Sequence, residues 1–295
     1  MGITGLARWT NAPTNGLKLI DDNIRQNHNG QLRGRWQLSA RSYRSTLGSI
    51  GGAGAGPPLE RSMCLLTMNE NVFVSLEDPC APTRADLAYH ASQSQTAIAD
   101  PTHYRNTFLT LSPPGALEQL LSLLRARWIS TKQAAGNAAQ YKQTAAQLTV
   151  EGNVYSVGTD WIVRAGNVIL AGGAVKGMLL EAEYLPVPTM SSQEGGGSSG
   201  LLSSLLVSVL PNLPDAKTEA VTISDDQWED VLWDRETDDQ NKSAAVKQKL
   251  GSGDELFVSP EDDVPRHSKG DWAGVDRDRR SAYLIIGALR SDGLI

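Results

Sequence analysis

The residues best placed to do chemistry are Glu181 and Glu183, in the short apolar run 178–185. Successive side chains on a β-strand point to opposite faces, so two residues at this spacing share one face. Two carboxylates inside a barrel can bind a divalent cation through their oxygens. The alternative is a strand face exposed to solvent, and we favour it because exposed glutamates are common and no second Glu-x-Glu pair occurs.

Other motifs that could bind cofactors are weak. The glycine run 51–56 is followed by Pro57 and Pro58 and by no Gly-Lys-Ser/Thr, so it is predicted to be a loop rather than a phosphate site. Cys64, Cys80 and the four histidines lack the spacing of metal ligands. We therefore predict no catalytic residue, no metal site and no cofactor.

A cluster of arginines and aromatic residues lies early in the chain: Arg33, Arg35, Arg41 and Arg44, with Trp36 and Tyr43. This set could bind an acidic strand or a nucleic acid, because cations contact phosphates and aromatic rings stack on bases. It also fits the outer face of a strand, which we favour, or a protein interface, where arginine and aromatic residues are enriched.

The acidic residues are concentrated towards the C-terminus. Residues 215–280 hold 18 acidic and 10 basic residues, a net charge of −8 against −6 for the whole chain. The remainder carries +2, which disfavours a protein whose main task is to grip nucleic acid, and no direct sequence-specific binding is expected. The acidic region, residues 212–278, is predicted to be a flexible, solvated insertion.

Composition indicates a protein of a reducing compartment, nucleus or cytosol, because two cysteines cannot build a disulfide framework. No apolar run approaches the roughly 18 residues that cross a bilayer, and the N-terminus lacks the pattern of a signal peptide. No membrane association is therefore expected.

Apolar periodicity predicts helices and strands through most of the chain. Helices are predicted at residues 14–27, 117–128 and 279–290, each with an apolar stripe, and at residues 201–210, a short and very apolar run ended by Pro211. Strands are predicted at residues 32–44, 63–68, 72–77 and 108–111, with a loop at residues 79–100.

The clearest pattern is a series of strands at residues 148–157, 161–165, 168–170 and 178–185. Turns are predicted at Gly158, Gly166-Asn167, Gly172-Gly173 and Gly177. Alternation along the last strand predicts one buried and one largely polar face. This is typical of an antiparallel sheet, open or curled into a barrel. The series could offer an unpaired edge to a partner.

Several segments resemble one family, in the same order along the chain. They are MGITGL, WQLSARSYRSTL, MCLLTMNENVFVSLE, LEQLLSLLRARW and YSVGTDWIVRAGNVILAGGAVKGMLLEAEYLP. The last is the most specific, with Asp-Trp-Ile-Val-Arg-x-Gly, then Gly-x-x-Lys-Gly, then Glu-x-Glu-Tyr. The chain thus resembles subunit 20 of the transcriptional Mediator complex, the TBP-related-factor subunit, over most of residues 1–210 and the last helix.

The resemblance implies an α+β fold, an antiparallel β-barrel-like sheet flanked by helices, with an acidic, partly disordered C-terminal insertion. The domain would comprise residues 1–190, 201–211 and 279–295. A Gly-rich loop at 49–58, a Gly/Ser linker at 191–200 and the acidic region at 212–278 would interrupt it.

The resemblance also implies a non-catalytic nuclear coactivator subunit. It would pair with Mediator subunit 18 and the C-terminal helix of subunit 8, and contact other head-module subunits. Through the assembly it would help couple regulators and the TATA-binding protein (TBP) to RNA polymerase II. Trp161, Tyr184, Trp36 and Arg41 are predicted to lie at a partner interface, where such residues are enriched.

The alternative is an enzyme. Tunnel-shaped metal-dependent triphosphatases carry Glu-x-Glu pairs on strands, and the family resembles their barrels distantly, so Glu181 and Glu183 could hold Mg²⁺ or Mn²⁺. The predicted sheet lacks the many lysines and arginines that a triphosphate tunnel requires. The interaction protein is therefore the favoured interpretation.

Overall fold

The computed structural model describes residues 3–45, 60–93, 101, 103–124, 127–131, 147–186, 197–211, 218–221 and 275–295. Five helices occur in this part of the chain: α1 Gly16–Asn27, α2 Arg84–Gln93, α3 Ala116–Leu123, α4 Gly197–Val209 and α5 Val275–Ser291. Ten strands occur with them: β1 Ile3–Trp9, β2 Gln31–Ser45, β3 Ser62–Met68, β4 Asn71–Glu77, β5 Asn106–Leu111, β6 Trp128–Ser130, β7 Leu148–Val157, β8 Trp161–Ile169, β9 Val175–Tyr184 and β10 Thr218–Val221.

All ten strands belong to one antiparallel sheet. Its order is β10-β1-β9-β8-β7-β2-β3-β4-β5, and β6 pairs with β2 beyond the end of β7. The sheet curls into a half-barrel, and its outermost strands, β10 and β5, are not paired with each other. The predicted α+β class with a barrel-like antiparallel sheet is confirmed.

Helices cover both faces of the sheet. Helix α5 crosses one side, here named the α5 face, and contacts β1, β3, β4 and β10. On the opposite side α1 and α4 pack over the β1 and β7–β9 region, while α3 packs over β3 and β4. Because side chains alternate along a strand, one sheet supplies apolar residues to both layers.

The predicted apolar stripes form the core contacts of the helices. Ile20 and Ile24 of α1 are 0% exposed, as are Ile285 and Leu289 of α5. On β2, Trp36, Leu38 and Ala40 share one face of the strand and pack in the α5-face cluster. Burial of these side chains from two directions stabilises the sheet, since each fully buried aliphatic side chain contributes about 1.5–3 kcal/mol.

Two sequence-based assignments in the first half of the chain are wrong. Residues 79–100 were expected to be a loop, but residues 84–93 form α2. Thr83 starts this helix in a reciprocal cap: its Oγ1 accepts from the Asp86 N–H, and the Asp86 carboxylate accepts from the Thr83 N–H. Trp128 was placed at the end of the helix predicted at residues 117–128, but it begins strand β6, which pairs with the end of β2.

The strand series differs from its prediction at two glycines. Gly166-Asn167 makes no turn, because β8 runs unbroken from Trp161 to Ile169. Gly177 lies inside β9, at a register shift opposite β8. The turns at Gly158 and Gly172-Gly173 are confirmed. Strands β7, β8 and β9 are all paired on both sides, so the series offers no free edge.

The C-terminal part of the chain supplies two further elements. Residues 218–221, expected to lie in a flexible insertion, form β10 and pair with β1, and α5 begins at Val275 rather than Arg279. The Gly-rich loop, residues 191–196 of the linker and residues 222–274 of the acidic region lie outside the described residues. Among the residues that are described, no helix is both long and apolar enough to cross a membrane.

Candidate functional site

Glu181 and Glu183 are buried beneath α5. They are 2% and 3% exposed, although their strand was expected to show a polar face to solvent. That expectation is wrong because β9 lies inside the sheet, between β1 and β8, and α5 packs across the face to which both carboxylates point.

Two arginines and a serine bind the buried carboxylates. Arg164 lies opposite Glu181 on β8; it forms an ion pair with Glu181 and donates from Nη2 to Oε2 of Glu183 at 2.9 Å. Arg277 donates from Nη1 to the same Oε2 at 2.7 Å, and Ser281 donates its hydroxyl to Oε2 of Glu181. We name these five residues the carboxylate cluster; it joins β8, β9 and α5.

The charge state of Arg277 follows from its neighbours. Burial lowers the pKa of its guanidinium, but the hydrogen bond to Asp278 and the charges of Glu183 and Glu181 outweigh this, so the pKa is raised overall. The guanidinium therefore stays protonated and offsets the buried negative charge.

The cluster is built as a structural network rather than as an open metal site. Both oxygens of Glu181 are occupied, by Arg164 and Ser281, and Glu183 accepts from two arginines. A divalent cation would have to displace guanidinium groups that already neutralise these carboxylates. Within the described residues, no three His, Cys, Asp or Glu side chains are grouped so as to hold a metal ion.

A cavity of about 610 Å³ adjoins the carboxylate cluster. Arg164, Glu181 and Arg277 line it on one side. Residues from the middle of β2 and from the end of β3 line it on the other. The cavity therefore lies where β3 stops pairing with β2, between the sheet and the first turns of α5.

Trp36 packs against the backbone of Gly166 on β8. Gly152 on β7 lies opposite Trp36, and Gly166 on β8 lies opposite Gly152. A Cβ at Gly166 would lie 3.1 Å from Cε3 of Trp36 and 2.8 Å from Cγ1 of Val150. The indole fits because this carbon is missing, and Trp36 is 5% exposed. Its predicted place at a partner interface stays a prediction.

The arginines of β2 do not form one cationic surface. Arg33 and Arg35 are exposed. Arg41 is half-buried and donates from Nη2 to Oε1 of Gln147 at 2.7 Å, and Arg44 lies 3.7 Å from Glu60. Strand alternation directs Arg41 and Arg44 to opposite faces. The interface role predicted for Arg41 stays a prediction.

Trp161 and Tyr184 face each other across strands β8 and β9. Their ring centroids lie 4.6 Å apart with an interplanar angle of 46°. Both side chains are half-buried, and Trp161 packs against the cluster formed by α1 and α4. The structure thus brings two of the predicted interface residues together, and each keeps surface that a partner could cover.

Sequence reasoning missed an apolar surface at the β5 edge of the sheet. We name it the β5–α3 surface; it consists of Leu109 (43% exposed), Leu111 (37%), Leu120 (51%) and Leu123 (82%). The two β5 leucines lie opposite valines of β4 that face α3. Helical spacing identified Leu120, but not Leu123, as part of an apolar stripe, and spacing does not reveal which side chains another element leaves uncovered.

A second missed feature is a buried aspartate at the ends of three strands. Asp78 is 1% exposed; its Oδ2 accepts from Arg61 at 2.7 Å and from Nε2 of His103 at 2.8 Å, and its Oδ1 from the Cys80 N–H at 3.0 Å. Burial raises the pKa of Asp78, but these hydrogen bonds and positive charges lower it below 3.8 overall. The chain positions are far apart, so no local pattern signals the cluster.

Comparison with known proteins gives one family and several distant structures, of which two are described. A family model described as the TATA-binding related factor of subunit 20 of the Mediator complex matches residues 1–196. No curated protein matches the chain. The PH1819 protein from Pyrococcus horikoshii OT3 shares 12% identity at a TM-score of 0.37, covering 74% of this chain and 93% of that one. The hypothetical protein NE1496 shares 10% sequence identity at a TM-score of 0.23, covering 76% of this chain and 92% of that one. These scores support no structural argument.

Proposed function

The chain belongs to the TATA-binding-related-factor family of Mediator subunit 20, and from this membership we propose that it pairs with Mediator subunit 18 and the C-terminal helix of subunit 8. Members of the family are structural subunits of Mediator, a nuclear coactivator complex that regulates transcription. We further propose that this chain works in the nucleus without catalysis. Its assembly would help couple regulators and TBP to RNA polymerase II.

The observation that supports a stable partner is the β5–α3 surface. Its four leucines are between 37% and 82% exposed; two lie on β5, an outermost strand, and two on α3, which packs over the neighbouring strands β3 and β4. Contiguous exposed apolar surface on a folded chain is typical of an interaction site, and long-lived heterodimers have apolar interface centres. We propose that subunit 18 covers this surface.

Co-expression with subunit 18 and the C-terminal segment of subunit 8, followed by size-exclusion chromatography, tests the pairing. We expect a stoichiometric complex that survives high salt, because an apolar interface is not screened by ions. A monodisperse chain that elutes without either partner would contradict the proposal.

Paired substitutions test the surface itself. Leu120→Ser with Leu123→Ser should abolish co-elution with subunit 18 while leaving the circular dichroism spectrum unchanged, because both side chains are more than half exposed. Val207→Ser on α4 is the matched control; Val207 is 64% exposed but lies on the other half of the sheet. Equal loss of binding in both variants would remove the β5–α3 surface as the site.

The four residues predicted from sequence give a competing location. Trp161→Ala or Tyr184→Ala should weaken the complex without unfolding the chain if their half-buried pair belongs to the interface. If neither variant weakens co-elution, that location is wrong. Trp36 and Arg41 are less informative targets because they contribute to packing and to the Gln147 hydrogen bond.

The triphosphatase alternative gains no support from the carboxylate cluster. Because both oxygens of Glu181 and Oε2 of Glu183 are bound to Arg164, Arg277 and Ser281, we expect no phosphate release from nucleoside triphosphates with Mg²⁺ or Mn²⁺. Turnover that is lost in Glu181→Ala, but kept in an equally destabilised core variant, would reinstate the enzyme.

A further inference from the structure

Strand β2 has an open edge along its first seven residues. On one side β7 pairs with residues from Gln31 to Ala40. On the other side β3 pairs only from Leu38 onwards, because the β3–β4 hairpin turns at Asn69. No strand of the described chain pairs with Gln31–Gln37 on that second side. The sheet therefore has a step in its interior, which we name the β2 notch.

The backbone of the notch points unpaired groups into this gap. The Ser45 N–H bonds to the Arg61 carbonyl on the β3 side, whereas the Ser42 carbonyl accepts from Thr131 on the opposite side. Backbone groups alternate in direction along a strand, so odd-numbered residues here face the β3 side. Arg35 and Gln37 therefore present their N–H and C=O groups to the notch.

Cavities flank the notch on both faces of the sheet. The cavity of about 610 Å³ is lined on one side by Arg277 and Ser281 of α5, and a second of about 310 Å³ lies on the opposite face of the sheet, beside Leu17 of α1. Arg35, Trp36 and Gln37 line both of them. Side chains of an added strand would alternate between the two faces of the sheet. Those on each face would enter the cavity on that side.

The exposed charges at the notch are mainly positive: two arginines against Glu151, which lies opposite Gln37 on β7. Arg33 and Arg35 are both exposed. Arg33 donates from Nε to the Ser156 hydroxyl at 2.8 Å, whereas Arg35 makes no hydrogen bond or ion pair with any residue that the structure describes. A β-bulge between Leu32 and Gly34 and these arginines oppose pairing with a second copy of this chain. The two arginines favour an acidic strand.

We propose that the β2 notch binds an extended acidic segment of a partner protein, which adds as a strand beside Gly34–Gln37. The free N–H and C=O groups of Arg35 and Gln37 would hold its backbone, and the arginines would select its acidic side chains. Nucleic acid fits less well, because backbone pairing needs a peptide and the chain has a net charge of −6. The proposal does not depend on subunit 18 as partner.

The probe is a blocked peptide of alternating valine and glutamate residues, matched in length to Gln31–Gln37. A blocked peptide of alternating valine and lysine residues, of the same length, is the control probe. We expect the acidic probe to bind the full-length chain at low salt, with affinity that falls as salt rises, and the basic probe to bind at least about tenfold more weakly. Equal binding of the two probes would overturn the choice of an acidic partner.

Amide hydrogen exchange distinguishes strand addition from a simple charge contact. In the free chain the amides of Arg35 and Gln37 should exchange fast and those of Trp36 and Leu38, which face β7, slowly. The acidic probe should slow Arg35 and Gln37 and leave the other two unchanged. Protection of Arg35 and Gln37 before any probe is added would show that the chain covers its own notch, and would overturn the proposal.

Three variants complete the test. Arg35→Glu should weaken binding of the acidic probe about three- to tenfold, and Gln37→Pro should do so by removing one N–H from the notch while leaving the β7 pairing intact. Arg44→Glu, with the same charge change near the other end of β2, is the control and should bind normally. Equal weakening by Arg35→Glu and Arg44→Glu would mean that only net charge matters, which contradicts a local site.

Discussion

Arg164 connects distant parts of the chain through its contacts with Glu181 and Glu183. Taking these charges out of water is costly, and their mutual attraction repays that cost only with good geometry. Arg277 and Ser281 lie four positions apart on α5 and therefore on one helix face. Their contacts with the same two carboxylates fix how far α5 is rotated about its axis. At this scale the Glu-x-Glu pair, which the sequence predicts to face solvent, is an anchor for a helix.

The first prediction concerns the loss of one partner from this network. Arg164→Leu should lower the free energy of unfolding by about 3–5 kcal/mol, because it leaves two buried carboxylates underpaired. Urea denaturation measures this. Arg25→Leu removes a surface ion pair with Asp21, in which Arg25 is 48% exposed, and should cost less than about 0.5 kcal/mol. Similar losses in the two variants would mean that the cluster is solvated.

The second prediction concerns pH and Asp78. Its pKa is lower in the folded chain than its ordinary value of 3.8, so its contribution to stability is present above that value and is lost as pH falls through the lower, folded pKa. Asp78→Asn should therefore cost about 2 kcal/mol at neutral pH and almost nothing at strongly acid pH. Urea unfolding of both proteins across this range measures it; a constant difference would contradict the assignment.

At the scale of elements, α5 contributes most to the α5 face. Its buried stripe packs into the same cluster as residues of β1, β2, β3, β4, β5, β7, β8 and β9. It also carries two members of the carboxylate cluster and part of the cavity wall. Yet α5 lies beyond residues 1–196, which the family model matches. A helix outside the matched region is therefore part of the core.

The third prediction compares two positions on α5. Ile285→Ala should cost about 2–5 kcal/mol, because Ile285 is 0% exposed and its removal leaves a cavity. Gly287→Ala should instead stabilise the chain by up to about 1 kcal/mol, since its Cβ would meet no atom within 4 Å and alanine favours helix. Thermal and urea unfolding measure both. Equal, small effects would show that α5 is not docked.

At the scale of the whole molecule, the fold is closed by a segment distant in sequence. Residues 222–274 separate β10 from α5, yet α5 contacts β1 at the start of the chain. Arg8 on β1 forms an ion pair with Asp292 at 2.6 Å, just after the end of this helix. The two ends of the chain therefore meet over one face of the sheet, although the sheet itself stays an open half-barrel.

The fourth prediction concerns removal of that segment. A chain that ends before Val275 would expose the apolar α5 face, so we expect strong binding of a hydrophobic dye and loss of cooperative unfolding. A synthetic peptide of residues 275–295 added in trans should reduce dye binding and restore cooperative unfolding. A truncated chain that unfolds as cooperatively as the full chain would contradict a core role for α5.

The sequence by itself determined the elements whose patterns are local. Helices α1 and α5 show apolar stripes, and α4 is a short apolar run. Strands β2 and β9 show period-two alternation, whereas β3, β4, β7 and β8 are recognised as short segments between turn residues. The block around Asp160–Tyr184 also carried the family resemblance. Helix α2 was missed because its amphipathic signal is weak, and β10 was missed because four residues among acidic neighbours form a strand only by pairing with β1.

Only the tertiary structure decided the role of the candidate residues. The spacing of Glu181 and Glu183 determined that they share a face, but not that α5 covers it or that Arg164 and Arg277 neutralise them. The free edge of β2 and the exposure of the β5–α3 leucines likewise depend on where β3 ends and on what α3 leaves uncovered. Alternation and helical period are properties of one segment, whereas burial, pairing and open edges depend on contacts between segments far apart in sequence.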